Sequence, residues 1–309
     1  MISFAPDHPL TGLVTAFRQL GQAIRAVSIL RAVPILRADP VLRAVPVLRR
    51  PPAQSRASRG HGVLLGAGPG AADLITLRGL QALQAADVIF YDRLSGPALL
   101  THARPGARLV SVGKAPGAHS LAQDQINALL VQAAQQGLRA VRLKCGDPGI
   151  FGRGAEEAQA LDAAGIAWSV IPGVTAACAA AAAAGSFLTE RGVTERVILA
   201  TGHRRAGDAT DWALCAAPGT TLACYMGVAS AGRIQADLHA AGWPADCPVE
   251  VVSHAQTDRQ RLLRGTLTGL SALCASHPDL NPAILLIRWP ADQARTGAKA
   301  ADSLQVAAA

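Results

Sequence analysis

The stretch that most constrains this chain is VLLGAGPG at residues 63–70, together with the segment that runs from it to Asp92 in VIFYD. A short apolar run stops at glycines, which permit tight turning and close backbone approach. A helix-like segment then leads to a second apolar run, VIF, that ends in acid. Strand, glycine turn, helix and strand in that order open an α/β domain built on a parallel sheet. Ligands of such sheets sit beyond the carboxyl ends of the strands, so Pro69 and Asp92 are expected to border the crevice.

The same rhythm continues. Strands are expected at 63–65, 88–91, 108–112, 140–144 and 168–171, separated by helical stretches such as 76–86, 123–136 and 155–164. A second unit begins near Thr175, with strands at 197–201, 221–225, 248–252 and 284–287 and helices at 176–185, 231–241 and 268–276. Residues 266–270 read as a turn into a helix. The expected division is an N-terminal α/β domain over 61–173, a C-terminal α/β domain over 174–290 and a frayed tail over 291–309.

Residues 1–60 stand apart. They carry a near-repeat of six (SILRAV, PILRAD, PVLRAV, PVLRR) whose regular prolines forbid a continuous helix and favour extended or turn conformations. Such a segment has little with which to build a core, so disorder is the first expectation. An Arg-rich, acid-poor transit peptide and a start codon placed too far upstream are the alternatives. The net charge of +8 is misleading, because this extension holds nine Arg against two Asp and leaves about +1 for everything after it. The folded part therefore offers little support for nucleic-acid binding. Six scattered cysteines show neither a CxxC pair nor zinc-like spacing and read as reduced thiols of a cytoplasmic protein. The longest apolar run, around 176–184, is alanine-rich and shorter than the ~20 residues that span a bilayer, so no membrane association is expected.

GAGPGAA fits G-x-G-x-x-A, and Asp92 lies 21 residues after Ala71, where a dinucleotide-binding fold places its ribose carboxylate. Against that, Pro69 has no N–H to offer a pyrophosphate. The rest of the chain is more specific. It reads YDRL at 91–94, SVGK at 111–114, HS at 119–120, QDQIN at 123–127 and RLKCGDPGIFGRGAEE at 142–157. Beyond these come IPGVTAA at 171–177, LTERG at 188–192, TGH at 201–203 and YMG at 225–227. In this order and spacing the segments, spread over residues 62–290, closely resemble the uroporphyrinogen-III C-methyltransferases, within the tetrapyrrole methyltransferases that use S-adenosylmethionine.

The resemblance implies two α/β domains with an active-site cleft between them, a homodimer, and methylation of uroporphyrinogen III to precorrin-2 on the way to siroheme or cobalamin. It implies that Pro69, Cys145, Gly146, Asp147, Ile150, Thr175, Ala176 and Met226, with Ala255 where the family has glycine, hold the cofactor. Asp92 resembles the family's proton acceptor and Lys114 its proton donor. For Asp92 the alternatives are a pair with Arg93 or a helix cap, for Lys114 a solvated loop charge, and for Asp147 a turn-forming carboxylate. A carboxylate-rich substrate demands cations, for which Arg153, Arg93 and Arg191 are candidates, with an internal ion pair to Glu156 or Glu157 as the alternative for Arg153. His119 and His203 are possible substrate contacts, though a lone histidine is more often structural. No dehydrogenase and chelatase module of the kind some relatives carry is expected at the amino end.

Three positions depart from the family. Cys145 replaces a glycine at the cofactor loop, where a side chain is expected to crowd the pocket or distort the backbone. Glu190 replaces a histidine and is unfavourable near a polyanion unless Arg191 or Arg196 pairs with it. Ser186–Phe187 replace Ile-Pro. These changes keep open a degenerate relative that binds S-adenosylmethionine or tetrapyrrole without efficient turnover.

Overall fold

The computed structural model describes residues 60–95, 97–113, 121–203, 212 and 216–291. The 1–60 extension apart from Gly60, the tail beyond Ala291, Lys114 and His119 lie outside these residues.

Five strands form the first sheet: β1 (His61–Gly66), β2 (Val88–Tyr91), β3 (Arg108–Ser111), β4 (Arg139–Lys144) and β5 (Ala167–Ile171). They lie in the order β3-β2-β4-β1-β5, and every pairing is parallel. The connections contain α1 (Leu77–Gln84), α2 (Gln123–Gln135) and α3 (Gly154–Ala163), with a 3₁₀ stretch, Pro97–His102, between β2 and β3. α1 starts where the Thr76 hydroxyl accepts the Gly79 N–H, satisfying one of the free donors of the first turn. Alternation along β1 sends Val63 and Leu65 to a core with Leu83 and Ile89, and Leu64 to an opposite core with Phe90, Leu130 and Leu161. On β4, Val141 and Leu143 join the first core. The intervening Arg142 and Lys144 are therefore sent, buried, to the face covered by α2 and α3.

The second sheet contains β6 (Arg196–Thr201), β7 (Thr220–Tyr225), β8 (Pro248–Ser253), β9 (Arg261–Thr266) and β10 (Ala283–Trp289), in the order β6-β7-β10-β8-β9. Here β6 and β7 are parallel and the remaining pairings antiparallel. One face packs Leu222, Val249, Val251 and Leu285 under α5 (Ala231–Ala240) and α6 (Leu270–Ala275). The other is covered by α4 (Ala176–Ala183), whose Ala177, Ala180 and Ala181 pack on Ala223, Tyr225, Val252 and Leu286.

The chain is thus an α/β protein with two sheets, as its apolar rhythm indicates. β9 is an addition to that reading: an edge strand of sequence RLLRGT with no buried position, whose arginines and exposure hide it from a hydrophobic pattern. Among the described residues no helix is long and apolar enough to cross a membrane.

Candidate functional site

At the carboxyl end of the first sheet, β1 runs into the GAGPG loop, β4 into Cys145–Gly146–Asp147, and β5 into Pro172–Gly173. These turns meet backbone to backbone. The Gly146 N–H donates to the Gly68 carbonyl at 2.7 Å, and the Gly68 N–H returns a bond to Gly146 at 3.2 Å. Both glycines have positive φ, 79° and 68°, a conformation that side chains resist. A Cβ placed on Gly173 would lie 2.2 Å from the Gly146 carbonyl oxygen.

Asp147 stitches this junction: Oδ1 accepts the Gly149 N–H at 2.7 Å and Oδ2 the Gly173 N–H at 2.9 Å. The turn-forming role is realised. The positive φ of this loop falls on Gly146 and Cys145 itself has none, so the Cys145 side chain sits on no left-handed backbone. Burial, and then the negative charge of Asp92, push the Cys145 thiol up to about 11.

The second sheet reaches the same place. A Cβ on Gly146 would lie 3.6 Å from the Ala176 nitrogen and 3.8 Å from the Thr175 Cα. Thr175 Oγ1 is 2.6 Å from the Tyr225 hydroxyl, which also accepts the Ala177 N–H at 3.1 Å. Burial pushes the Tyr225 hydroxyl up, against the opposite pull of these bonds. The Phe151 ring stands 5.0 Å from that of Tyr225, centroid to centroid. Phe151 and the adjoining Met226 both adopt left-handed backbone, φ 51° and 52°, and remain 41% and 49% exposed. From the β8–β9 turn, the Ala255 carbonyl lies 2.9 Å from where a Gly70 Cβ would stand, flanked by His254 and Gln256 at positive φ. Ile150 packs with Ala176 and Ala255 on the core of the second sheet. Pro69, Cys145, Gly146, Asp147, Ile150, Thr175, Ala176, Met226 and Ala255 thus belong to one contiguous set of loops, and non-glycine residues held at positive φ concentrate there. Of two cavities, the first opens beside the β8–β9 turn that carries Ala255 and the second lies away from this set. The first, of about 330 Å³, is lined by His254, Arg259 and Asp279 among others, and the second, of about 380 Å³, lies between α5 and α6.

Asp92 comes directly after β2, and among the described residues neither Arg93 nor a helix holds its side chain. Its Oδ2 accepts from Arg142 Nη2 at 2.7 Å, and a third of its side chain is open. Behind it, Arg142 Nε donates to Glu157 Oε1 at 2.9 Å, and Lys144 Nζ donates to Glu157 at 2.7 and 2.9 Å. Burial, with the nearby Arg142 charge, lowers the Lys144 ammonium from its ordinary range, and Glu157 opposes that. Two cations and two carboxylates thus alternate from the core to the crevice.

Among the expected substrate cations, Arg153 is exposed and grips Glu156 through Nε at 2.8 Å and Nη2 at 2.7 Å. Arg93 and Arg191 are exposed. Glu190 pairs its backbone with Thr194, and among the described residues no cation pairs with its side chain. Arg196, one expected partner, donates instead to the Pro218 carbonyl. Ser186 is built into a polar network: its hydroxyl donates to Glu250 at 2.9 Å and accepts from Arg288 at 2.8 Å. Arg142, Lys144, Phe151, Glu157 and Tyr225 lie inside the quoted segments RLKCGDPGIFGRGAEE and YMG, but the sequence assigns none of them a role at the site. Two cations at alternate positions of a buried strand are the available signal, since they require a buried acid.

Loop-borne groups converging at the strand ends of a two-sheet α/β protein define a class of ligand-binding enzyme fold. Residues 63–271 match the model of the tetrapyrrole (corrin/porphyrin) methylases. The siroheme synthase of Zymomonas mobilis is 48% identical over 230 residues, 74% of this chain and 48% of that protein. That of Edwardsiella ictaluri is 49% identical over 215 residues, 70% of this chain and 47% of that protein. The chain spans about half the length of these relatives. The uroporphyrin-III C-methyltransferase of Thermus thermophilus, solved in complex with S-adenosylhomocysteine, aligns with TM-score 0.64 and 33% identity, covering 74% of this chain and 97% of that one. A cobalt precorrin-4 methyltransferase aligns with TM-score 0.66 and 29% identity over 75% and 96%. The chain belongs to the tetrapyrrole methylase family.

Proposed function

We propose that this chain transfers methyl groups from S-adenosylmethionine to uroporphyrinogen III, twice, giving precorrin-2. The observation that carries this is the convergence of the GAGPG loop, Gly146–Asp147, Thr175 and Met226 beside the partly open carboxylate of Asp92. The residues fit the cofactor: exposed Met226 and Phe151 offer apolar surface for adenine and thioether carbons, and Asp92 and Asp147 place negative charge near a cation. S-adenosylmethionine supplies an electrophilic methyl group on a sulfonium.

The chain's own part is chiefly positional. Glycine contacts fix the loops that hold the two reactants in line and exclude water, which accounts for much of such a rate. Asp92 takes the proton that the ring must lose, and Lys114 serves as proton donor. Arg153, Arg93 and Arg191 meet substrate carboxylates, Arg153 by exchanging Glu156 for one of them. The domain boundaries at 61–173 and 174–290, a homodimer and a cytoplasmic location belong to the same reading, and sedimentation of the purified protein tests the dimer.

The deciding experiment incubates purified protein with uroporphyrinogen III and methyl-labelled S-adenosylmethionine. Transfer of two labels with appearance of a dimethylated product is expected. Cofactor binding without transfer would establish the degenerate alternative, and transfer only to a more methylated precorrin would place the enzyme later in the sequence.

A further inference from the structure

Arg142 occupies the seam between core and crevice, and its side chain is 4% exposed. Its planar fork is satisfied in three directions: Nη2 to Asp92 at 2.7 Å, Nε to Glu157 at 2.9 Å and Nη1 to the Leu143 carbonyl at 2.9 Å. A guanidinium so held cannot turn without breaking charge-assisted bonds. Glu157 is itself immobilised, fully buried under Lys144 and a 3.3 Å bond from Gln123. On Asp92 the fork occupies Oδ2, while among the described residues no donor reaches Oδ1. Nothing in the sequence distinguishes the two oxygens. The buried scaffold does.

We propose that Arg142 is a positioning residue for methyl transfer: anchored by Glu157, it fixes Oδ2 of Asp92 and leaves Oδ1 to receive the proton from the ring. This rests on Asp92 being the proton acceptor. In the balanced step, a ring carbon's electron pair forms the new C–CH3 bond as the S–CH3 bond breaks, its pair passing to sulfur. A ring C–H bond then breaks, its pair returns to the macrocycle, and its proton passes to Oδ1. Around Asp92 the charged or titratable groups among the described residues are Arg142, Lys144, Cys145 and its neighbour Arg93.

The test is a double-mutant cycle with D92N, R142Q and the pair, following kcat and KM, with cofactor affinity by calorimetry. D92N is expected to lower kcat by about 10²–10⁴-fold, the usual worth of a positioned acid or base. R142Q is expected to lower kcat about 10- to 100-fold while leaving KM and cofactor affinity within about twofold, since a positioning role acts on the chemical step and not on binding. The double variant should be no slower than D92N, because Arg142 acts through Asp92. Multiplying losses, or a loss in R142Q that falls on KM instead of kcat, would overturn the proposal while leaving Asp92 as acceptor. D92N at the wild-type rate would overturn the acceptor role as well. R142Q leaves Glu157 and Lys144 as a neutral pair and so should fold. If it does not, R142K keeps the charge without the fork, and an unchanged kcat in that variant overturns the proposal.

Discussion

The Tyr225 hydroxyl lies 2.6 Å from Thr175 Oγ1 and accepts the Ala177 N–H, pinning the last residue of β7 to the first turn of α4. Y225F removes that pin and leaves a buried N–H without a partner. It should destabilise the protein by about 1–3 kcal/mol in chemical denaturation. Because Met226 is the next residue, cofactor affinity measured by calorimetry should weaken several-fold. A variant with wild-type affinity would separate the pin from the site.

Glu157 is the sole acid between Arg142 and Lys144 among the described residues, and replacing it exposes two buried cations to each other. E157Q should destabilise by about 3–5 kcal/mol, as removal of one member of a buried ion network does. The Lys144 ammonium is lowered in the fold, so between its folded and unfolded pKa values the folded state holds fewer protons and stability rises with pH. With Glu157 gone, that relief should grow. The deficit of E157Q against wild type should therefore narrow as pH rises toward the ordinary lysine value of about 10.4 in parallel urea melts.

The Cys145 thiol behaves in the opposite sense. Its pKa is raised from 9.0 to about 11 in the fold, so its contribution is fully present below 9 and is lost as pH rises through 11. At about pH 8 its thiolate fraction should be roughly 100-fold lower than that of an unfolded thiol, which governs reactivity. In mass-spectrometric footprinting with a maleimide, exposed Cys178 should be modified while Cys145 is spared until urea is added.

G173A forces a Cβ to within 2.2 Å of a carbonyl oxygen that cannot move without parting Gly68 from Gly146. A loss of about 3 kcal/mol or more, or failure to fold, is expected. G265A, on edge strand β9, meets only the Leu273 side chain at 3.4 Å and should be neutral or slightly stabilising. Similar melting temperatures for the two would show that the glycine junction yields.

Much of the fold is legible because buried strands such as VIFY and the VLL of β1 are short apolar runs cut off by glycine or acid. β9 is not, since an exposed edge strand carries no such run. At the site, Pro69, Gly146 and Met226 stand out as motif residues. The pairing of Asp92 with Arg142 is not legible, because the two are 50 residues apart and are brought together by the pairing of β2 with β4. That register, Phe90 opposite Arg142, is a property of sheet order rather than of any local pattern. The backbone at Cys145 is hidden for a related reason: the sequence marks where glycine is missing but not that the left-handed residue is Gly146.

Helix α4 presents little but methyl groups to the sheet beneath it. Alanine has no side-chain rotamers to freeze on docking, and equally none with which to adjust. The layer between this helix and β8 and β10 acts as a shim of fixed thickness, and the Thr175 end rides on it. A valine on the buried side of the shim would lift that end by the width of a methyl group, retuning the candidate site without touching any residue proposed to meet a ligand.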